Sequence, residues 1–348
     1  MLTLGQRIKI LPIKVFLYII WVVDSLNDLP ETVMVNSTRA AAVVLVVSFF
    51  FPNTYPQKLA MQTRDQLAYL PDGIVANYYT VPNNNVQSTN VLGISKKAEE
   101  LPNKVRNISP PLLTAKSVLV MDVGGNKVLY SFEADTPLAP ASTTKLMTAL
   151  VALDIYNMDD VLTTPSFCTT VESSRAGLVE DERVSVNNLL KSLLVASAGD
   201  SACVLATSKV SYTDFVSLMN AKAKSLGMES TFFTNPIGLD GVERSHFSTA
   251  GDLYTLSKAA MRNTFISELV RTKEFMFGNI TLYNTNKLLW EIPETVGIKT
   301  GTTQEAGEVL VYEYRDESKD LIIVVMGSED RFGDTKKLLE WTKESYAF

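Results

Sequence analysis

Histidine is nearly missing from this chain, with His246 the single one among 348 residues. A Ser-His-Asp hydrolase or a multi-histidine metal centre would have to be built around that residue. Its setting, "ERSHFSTAGDL", does not resemble either, so His246 is expected to be a partly buried structural side chain. Cysteine is scarce too. Cys168 and Cys203 form no C-x-x-C or Cys/His ligand cluster; two cysteines make no disulfide framework, although one bridge between them stays open. There is no basic stripe: 32 Lys and Arg stand against 38 Asp and Glu, a formal net charge of −6, and nothing in the pattern would track a phosphate backbone. Nucleic acid is not expected as a partner. Nor does any apolar run comfortably reach the roughly 20 residues that span a bilayer.

Two shorter apolar runs are present near the N-terminus. "ILPIKVFLYIIWVV" (10–23) is interrupted by Lys14, while "AAAVVLVVSFFF" (40–51) follows Arg39 and has the length of a signal-peptide core, roughly 7–15 residues. The second run reads as an export signal or a retained anchor, with Met34 as an alternative start. No clear A-x-A cleavage site follows Phe51, which favours the anchor. Residues 1–52 are therefore assigned to export or anchoring, and 53–112, rich in Asn, Gln, Pro, Ser and Lys without a sustained period, to a polar stalk.

Residues 113–348 read as one domain. "SVLVMDV" and "KVLYSFE" are β-rich runs joined by a "GGN" hairpin signal. From about 142 to 275 helical patterns dominate, among them "TTKLMTALVALDIY", "VNNLLKSLLVA" and "YTDFVSLMNAKAKSLG", the last ending at Gly227. The chain returns to strands in "VGIKTGTT", "EVLVYEYRD" and "LIIVVMGS", then closes on an amphipathic stretch, "DTKKLLEWTKESY". Strands at both ends with helices between them predict an α/β (α+β) domain whose N-terminal hairpin joins a sheet built from the C-terminal segments.

The stretch "PLAPASTTKLMTAL" (137–150) places Ser142 at the mouth of a helix, where serine is a favoured cap worth about 1 kcal/mol. Capping leaves Lys145 unexplained, since the i, i+3 spacing brings its amine to the face of the serine hydroxyl. A serine is a poor nucleophile until a base takes its proton, and without a usable histidine a lysine of depressed pKa is the candidate. Burial and a second cation nearby would depress it. Downstream, "VGIKTGTTQEAG" sets Lys299, Thr300 and Gly301 on a strand, with the glycine leaving room for a substrate backbone along the edge. In "LLVASAGDSACVLA", Ser197 sits between two helical runs.

In this order and at these separations, Ser142-x-x-Lys145, Ser197 and Lys299-Thr300-Gly301 resemble the active site of penicillin-binding proteins and serine β-lactamases. "AKSVLVMDVGGNKVLYSFEADTPLAPASTTKLMTALVALD", "LMNAKAKSLGMESTFFTNPIGLDG", "HFSTAGDL" and "NTNKLLWEIPETVGIKTGTTQEAG" are similar to the low-molecular-mass D-alanyl-D-alanine carboxypeptidases, over roughly residues 113–345. The resemblance implies the β-lactamase/DD-peptidase fold: an antiparallel sheet flanked by helices, a mostly helical subdomain and a site in the cleft between them. It implies Ser142 as nucleophile and Lys145 as its base, with the backbone N–H groups of Ser142 and Thr302 as the oxyanion hole. Ser197 would relay a proton to the leaving amine. Lys299 would supply positive potential, Thr300 would help hold the substrate carboxylate, and Arg331, in "GSEDRFGDTKKLLEW", would lie near it. No metal or organic cofactor is expected.

The implied partners are peptidoglycan stem peptides, with β-lactam antibiotics as covalent inhibitors, outside a cytoplasmic membrane held through the N-terminal segment. A DD-endopeptidase acting on cross-links shares every motif, and a non-catalytic wall-binding or penicillin-sensing protein is the alternative of another class. A β-lactamase is disfavoured because no E-x-x-L-N stretch follows Ser197. Two positions depart from the family pattern. Its middle motif usually ends in an asparagine whose carboxamide binds the substrate backbone; here Gly199 stands there, and Gly199→Asn is expected to leave activity equal or higher. Ile237 stands where relatives often have histidine, which reads as structural drift. Relatives also often append a β-rich domain and an amphipathic anchor after the last helix, where this chain ends at Phe348, so anchoring would fall to the N-terminal segment.

Overall fold

Continuous apolar strands decide the centre of the molecule. The computed structural model describes residues 102–348; the N-terminal anchor and most of the stalk assigned above lie outside the described residues. In chain order the strands are β1 (Asn103–Lys104), β2 (Ser117–Asp122), β3 (Lys127–Phe132), β4 (Val161–Thr163), β5 (Arg183–Ser185), β6 (Glu274–Phe277), β7 (Ile280–Tyr283), β8 (Thr295–Thr303), β9 (Gly307–Arg315), β10 (Asp320–Ser328) and β11 (Tyr346–Ala347). The helices are α1 (Lys145–Ile155), α2 (Val186–Val195), α3 (Gly199–Thr207), α4 (Tyr212–Ser225), α5 (Ala250–Met261), α6 (Thr264–Arg271), α7 (Leu288–Glu291) and α8 (Arg331–Ser345).

The main sheet has the order β3-β2-β10-β9-β8, antiparallel throughout. The hairpin β2–β3 thus joins three C-terminal strands, as the pattern predicts. β10 is central and buried on both faces, so its sequence is a continuous apolar run. Ile322, Val324 and Met326 face the helical layer, in one core with Leu119 and Met121 of β2 and Val309 and Val311 of β9. Leu321, Ile323 and Val325 point the other way, onto Leu338 and Leu339 of α8. Register enforces this, because Val324 sits opposite Leu119 on one side and Val311 on the other, and a one-residue slip would turn each apolar set to the wrong face. Each such fully buried side chain contributes about 1.5–3 kcal/mol.

The helical layer starts where local chemistry says it should. Ser185, Ser211, Thr249 and Asn263 cap α2, α4, α5 and α6 through their side chains, and Gly227, at φ 79°, follows the end of α4. Two small hairpins, β4 with β5 and β6 with β7, interrupt the mostly helical middle; they are too short to register as a period. Cys168 and Cys203 form a disulfide, which resolves the bridge that the sequence left open and ties the turn Ser166–Thr170 to α3.

The end assigned to the stalk belongs in part to this unit. β1 pairs with β11, the Val105 N–H donates to the Ser345 carbonyl at 2.8 Å, and the Trp341 indole donates to the Ile108 carbonyl at 3.1 Å. Residues 103–108 therefore line the C-terminal helix, about ten residues before the expected start at Leu113. Their polar composition hid this, because the ties run through backbone groups that any residue carries.

Candidate active site

Pro140 bends the chain into a short 3-10 turn, Ala141–Thr144, that runs straight into α1. Neither the turn nor α1 has a side-chain cap, so Ser142 is not the helix cap that its position suggests. Its Oγ lies 2.8 Å from Lys145 Nζ. Lys145 is wholly buried, and its Nζ also donates to the Ile237 carbonyl at 2.7 Å and lies 3.5 Å from Ser173 Oγ. Burial lowers its amine from 10.5 to about 7, against the Asp200 carboxylate, which raises it. The second cation expected to help acts elsewhere: it is Lys299 that is lowered, first by burial and then by the charges of Lys145 and Arg331.

Lys299, 1% exposed, donates to Ser197 Oγ at 2.9 Å and to the Thr300 carbonyl at 3.0 Å. Ser197 sits between α2 and α3 at φ 59°, a left-handed conformation that costs a side-chain-bearing residue about 1–2 kcal/mol. Such strain persists where the surroundings over-determine it, and here it aims the hydroxyl at the lysine. β8 is the sheet edge that carries Lys299, Thr300 and Gly301, and it runs against the Ser142 turn. A β-carbon on Gly301 would lie 2.8 Å from both the Ser142 nitrogen and the Ala141 β-carbon, so only glycine permits that approach. Thr302 follows at the mouth. Arg331, the first residue of α8, reaches across from the sheet's far side: its guanidinium donates to the Gly301 carbonyl at 2.7 Å and to Thr302 Oγ1. A cleft of about 560 Å³ has Ser142, Ser197, Thr300, Gly301, Thr302 and Arg331 in its walls. Every predicted site residue is thus at this one cleft or, for the two buried lysines, directly beneath its serines.

The sequence reading missed several contributors. Ile237 supplies its backbone carbonyl to Lys145, a role that no side-chain motif announces. Thr285 places its hydroxyl 2.5 Å from Thr300 Oγ1. His246 is fully rather than partly buried, at 2% exposure: its Nδ1 accepts the Thr234 N–H at 3.0 Å, which leaves the proton on Nε2 to donate to Thr144 Oγ1 at 2.9 Å. Burial lowers it to about 4, so it stays neutral and braces the residue beside Lys145. The geometry at Gly199 argues against the expectation for that position, because a β-carbon there would lie 2.5 Å from Ser173 Cβ and 2.7 Å from Ser173 Oγ. Gly199→Asn would have to displace Ser173. Among the described residues, no group of three or more His, Cys, Asp and Glu side chains could hold a metal.

A serine hydroxyl beside a buried lysine on one helical turn, faced by a second serine–lysine pair and a glycine-bearing strand edge, is an arrangement in which a lysine rather than a histidine can activate a serine for acyl transfer. Residues 104–330 match the peptidase S11 family, described as D-alanyl-D-alanine carboxypeptidase, and the chain belongs to that family. It is 34% identical over 254 residues to the D-alanyl-D-alanine carboxypeptidase DacC of Escherichia coli, across 68% of this chain and 63% of that protein. It is 36% identical over 251 residues to a D-alanyl-D-alanine endopeptidase of the same organism, across 67% of this chain and 78% of the other. Among solved structures, a Streptomyces DD-transpeptidase superposes with a TM-score of 0.65 at 29% identity, covering 68% of this chain and 100% of that one. A D-alanyl-D-alanine carboxypeptidase from Mycobacterium tuberculosis gives 0.64 at 29% identity, covering 69% and 95%. The fold is the β-lactamase/DD-peptidase type that the motifs imply. The chain spans just under two thirds of the length of the DacC relative.

Proposed function

We propose that this protein is a serine-type D-alanyl-D-alanine carboxypeptidase that removes the terminal D-alanine of peptidoglycan stem peptides. The observation that carries the reading is the Ser142–Lys145 pair: 2.8 Å apart, with a wholly buried amine lowered to about 7. Such an amine is neutral in a useful fraction near neutral pH and can accept the hydroxyl proton. Ser142 Oγ then bonds to the carbonyl carbon between the two D-alanines, and the oxyanion is met by the Ser142 and Thr302 backbone N–H groups, donors typically worth about 2.7–4 kcal/mol each. The C–N bond breaks as the leaving amine takes a proton through Ser197, which Lys299 holds at 2.9 Å. Water cleaves the acyl-enzyme ester, returning the Ser142 hydroxyl and releasing the shortened peptide.

Arg331 and Thr300 take the substrate's free carboxylate, a guanidinium being the donor suited to it. The same anion draws Lys299 back toward its charged form, since an opposite charge nearby favours ionisation. β-Lactams acylate Ser142 in the same way and remain attached. The disulfide supports a site of action outside the cytoplasm, in an oxidising compartment, with the segment 1–52 as export signal or membrane tether. No helix among the described residues is long and apolar enough to cross a membrane. The 36% identity to an endopeptidase keeps cross-link cleavage as a second reading.

The test is labelling with a fluorescent penicillin, beside Ser142→Ala, together with D-alanine release from diacetyl-Lys-D-Ala-D-Ala. Labelling lost in the variant, with D-alanine released by the wild type, is the expected result. Labelling without release would favour the endopeptidase, and an unlabelled wild type would reject the reading.

A further inference from the structure

The space beside Gly199 is already taken. Gly199 opens α3 two residues after Ser197, and a β-carbon there would overlap Ser173 at 2.5 Å from Cβ and 2.7 Å from Oγ, with Ile237 Cγ2 at 3.2 Å. Ser173 comes from a distant loop, is half-buried, lies in the wall of the active-site cleft, and has its Oγ 3.5 Å from Lys145 Nζ. The loop is fastened to α3 at three places. Before Ser173, Cys168 is bridged to Cys203. Beside it, the Gly199 N–H donates to the Ser174 carbonyl at 2.7 Å. After it, the Asp200 carboxylate accepts the N–H groups of Ala176 and Gly177 at 2.9 Å and of Leu178 at 3.2 Å. Every tie leads to the helix that begins at position 199, so the serine is held against the very position that lacks a side chain.

A neutral lysine amine has two N–H donors and one lone pair. Three oxygens surround Lys145 Nζ: the Ile237 carbonyl, Ser142 Oγ and Ser173 Oγ. The carbonyl can only accept. We propose that Ser173 is a positioning residue of this site: its Oγ accepts the second N–H of the Lys145 amine, which turns the lone pair toward the Ser142 hydroxyl, and Gly199 is the reciprocal change that makes room for it. The 3.5 Å separation shortens when substrate occupies the site, as hydrogen bonds at free active sites commonly do. The proposal rests on Ser142 and Lys145 acting as nucleophile and base.

Acylation by a fluorescent penicillin, followed by stopped flow and paired with thermal melts, tests it. Ser173→Ala is expected to slow the acylation step about 10- to 100-fold, the worth of one hydrogen bond to a polar group in a charged network. The concentration dependence of the preceding binding step and the melting temperature should stay as in the wild type, a split that a merely structural serine would not produce. Gly199→Asn alone should lose both rate and thermal stability. The double variant Gly199→Asn, Ser173→Gly should regain both, because the carboxamide enters the space the serine has left. Wild-type rates in Ser173→Ala, or a double variant no better than Gly199→Asn, would overturn the proposal. A wild type that is never labelled would instead overturn the Ser142–Lys145 chemistry on which it rests.

Discussion

Acylation of Ser142 needs the Lys145 amine unprotonated, and burial brings that transition to about 7. For one amine titrating there, the neutral fraction is about a tenth at pH 6 and about nine tenths at pH 8, so the rate should climb about tenfold between them and then level off. The Asp200 carboxylate pushes the transition upward, so Asp200→Asn should move it to lower pH. Asp200 also anchors the Ser173 loop, and for that reason the midpoint of the profile, rather than its height, is the quantity to compare. Lys299 feels the charge of Lys145, so the midpoint belongs to the pair of amines. Stopped-flow acylation by a fluorescent penicillin over about pH 5–9 measures it. A rate that is flat or falling from pH 6 to pH 8 would refute lysine as the base. The same burial has a sign for stability: with the folded value near 7 and the unfolded one near 10.5, the folded state binds fewer protons in between, so this site adds stability as pH rises through that window and loses it as pH falls.

Reducing the Cys168–Cys203 bridge, which closes a separation of 35 residues, should cost about 4 kcal/mol by loop-closure entropy and slow acylation as the Ser173 loop loosens; equal denaturant midpoints with and without reductant would contradict this. Glu313, 1% exposed, is pushed up from 4.5 to about 7 by burial, with Arg315 opposing. The folded state then binds more protons than the unfolded one between those values, so its contribution to stability is lost as pH rises across them. Glu313→Gln should remove that slope, and melting curves parallel to the wild type's from pH 4.5 to 8 would count against it. A protein starting at Leu113 rather than Pro102 should be less stable by about 1–3 kcal/mol, through loss of the β1–β11 pairing and the Trp341 hydrogen bond; identical melts would show that the segment contributes nothing.

What could be read in the sequence is what local pattern encodes. The unbroken apolar run in "LIIVVMGS" announces a strand buried on both faces, and Ser142 with Lys145 announces a pair because their i, i+3 spacing puts them on one helix face. Lys299 and Ser197 are legible only as members of a set, since nothing local says that a strand at one end of the chain meets a turn 102 residues away. The Ile237 carbonyl and the Thr285 hydroxyl carry no motif at all. Their roles exist only once β8, α1 and the intervening loops are packed together. The small hairpins and the pairing of residues 103–104 with the C-terminus were hidden for a related reason, because short or backbone-only ties leave no periodic trace.

Gly199 shows where a motif stops being a sufficient description. Read along the chain, a glycine in place of a carboxamide is a missing contact, and restoring the asparagine looks neutral or beneficial. Read in space, the position is crowded, because a serine held by a disulfide, a backbone hydrogen bond and three N–H groups on one carboxylate already fills it. The two readings give opposite signs for one substitution. The sign follows from packing: an extra β-carbon 2.5 Å from another carbon cannot be relieved by rotating a flexible tip when the neighbour is itself fastened on both sides. A polar group missing from one segment has therefore to be sought in whatever segment occupies its volume, and here that segment presents a hydroxyl to Lys145.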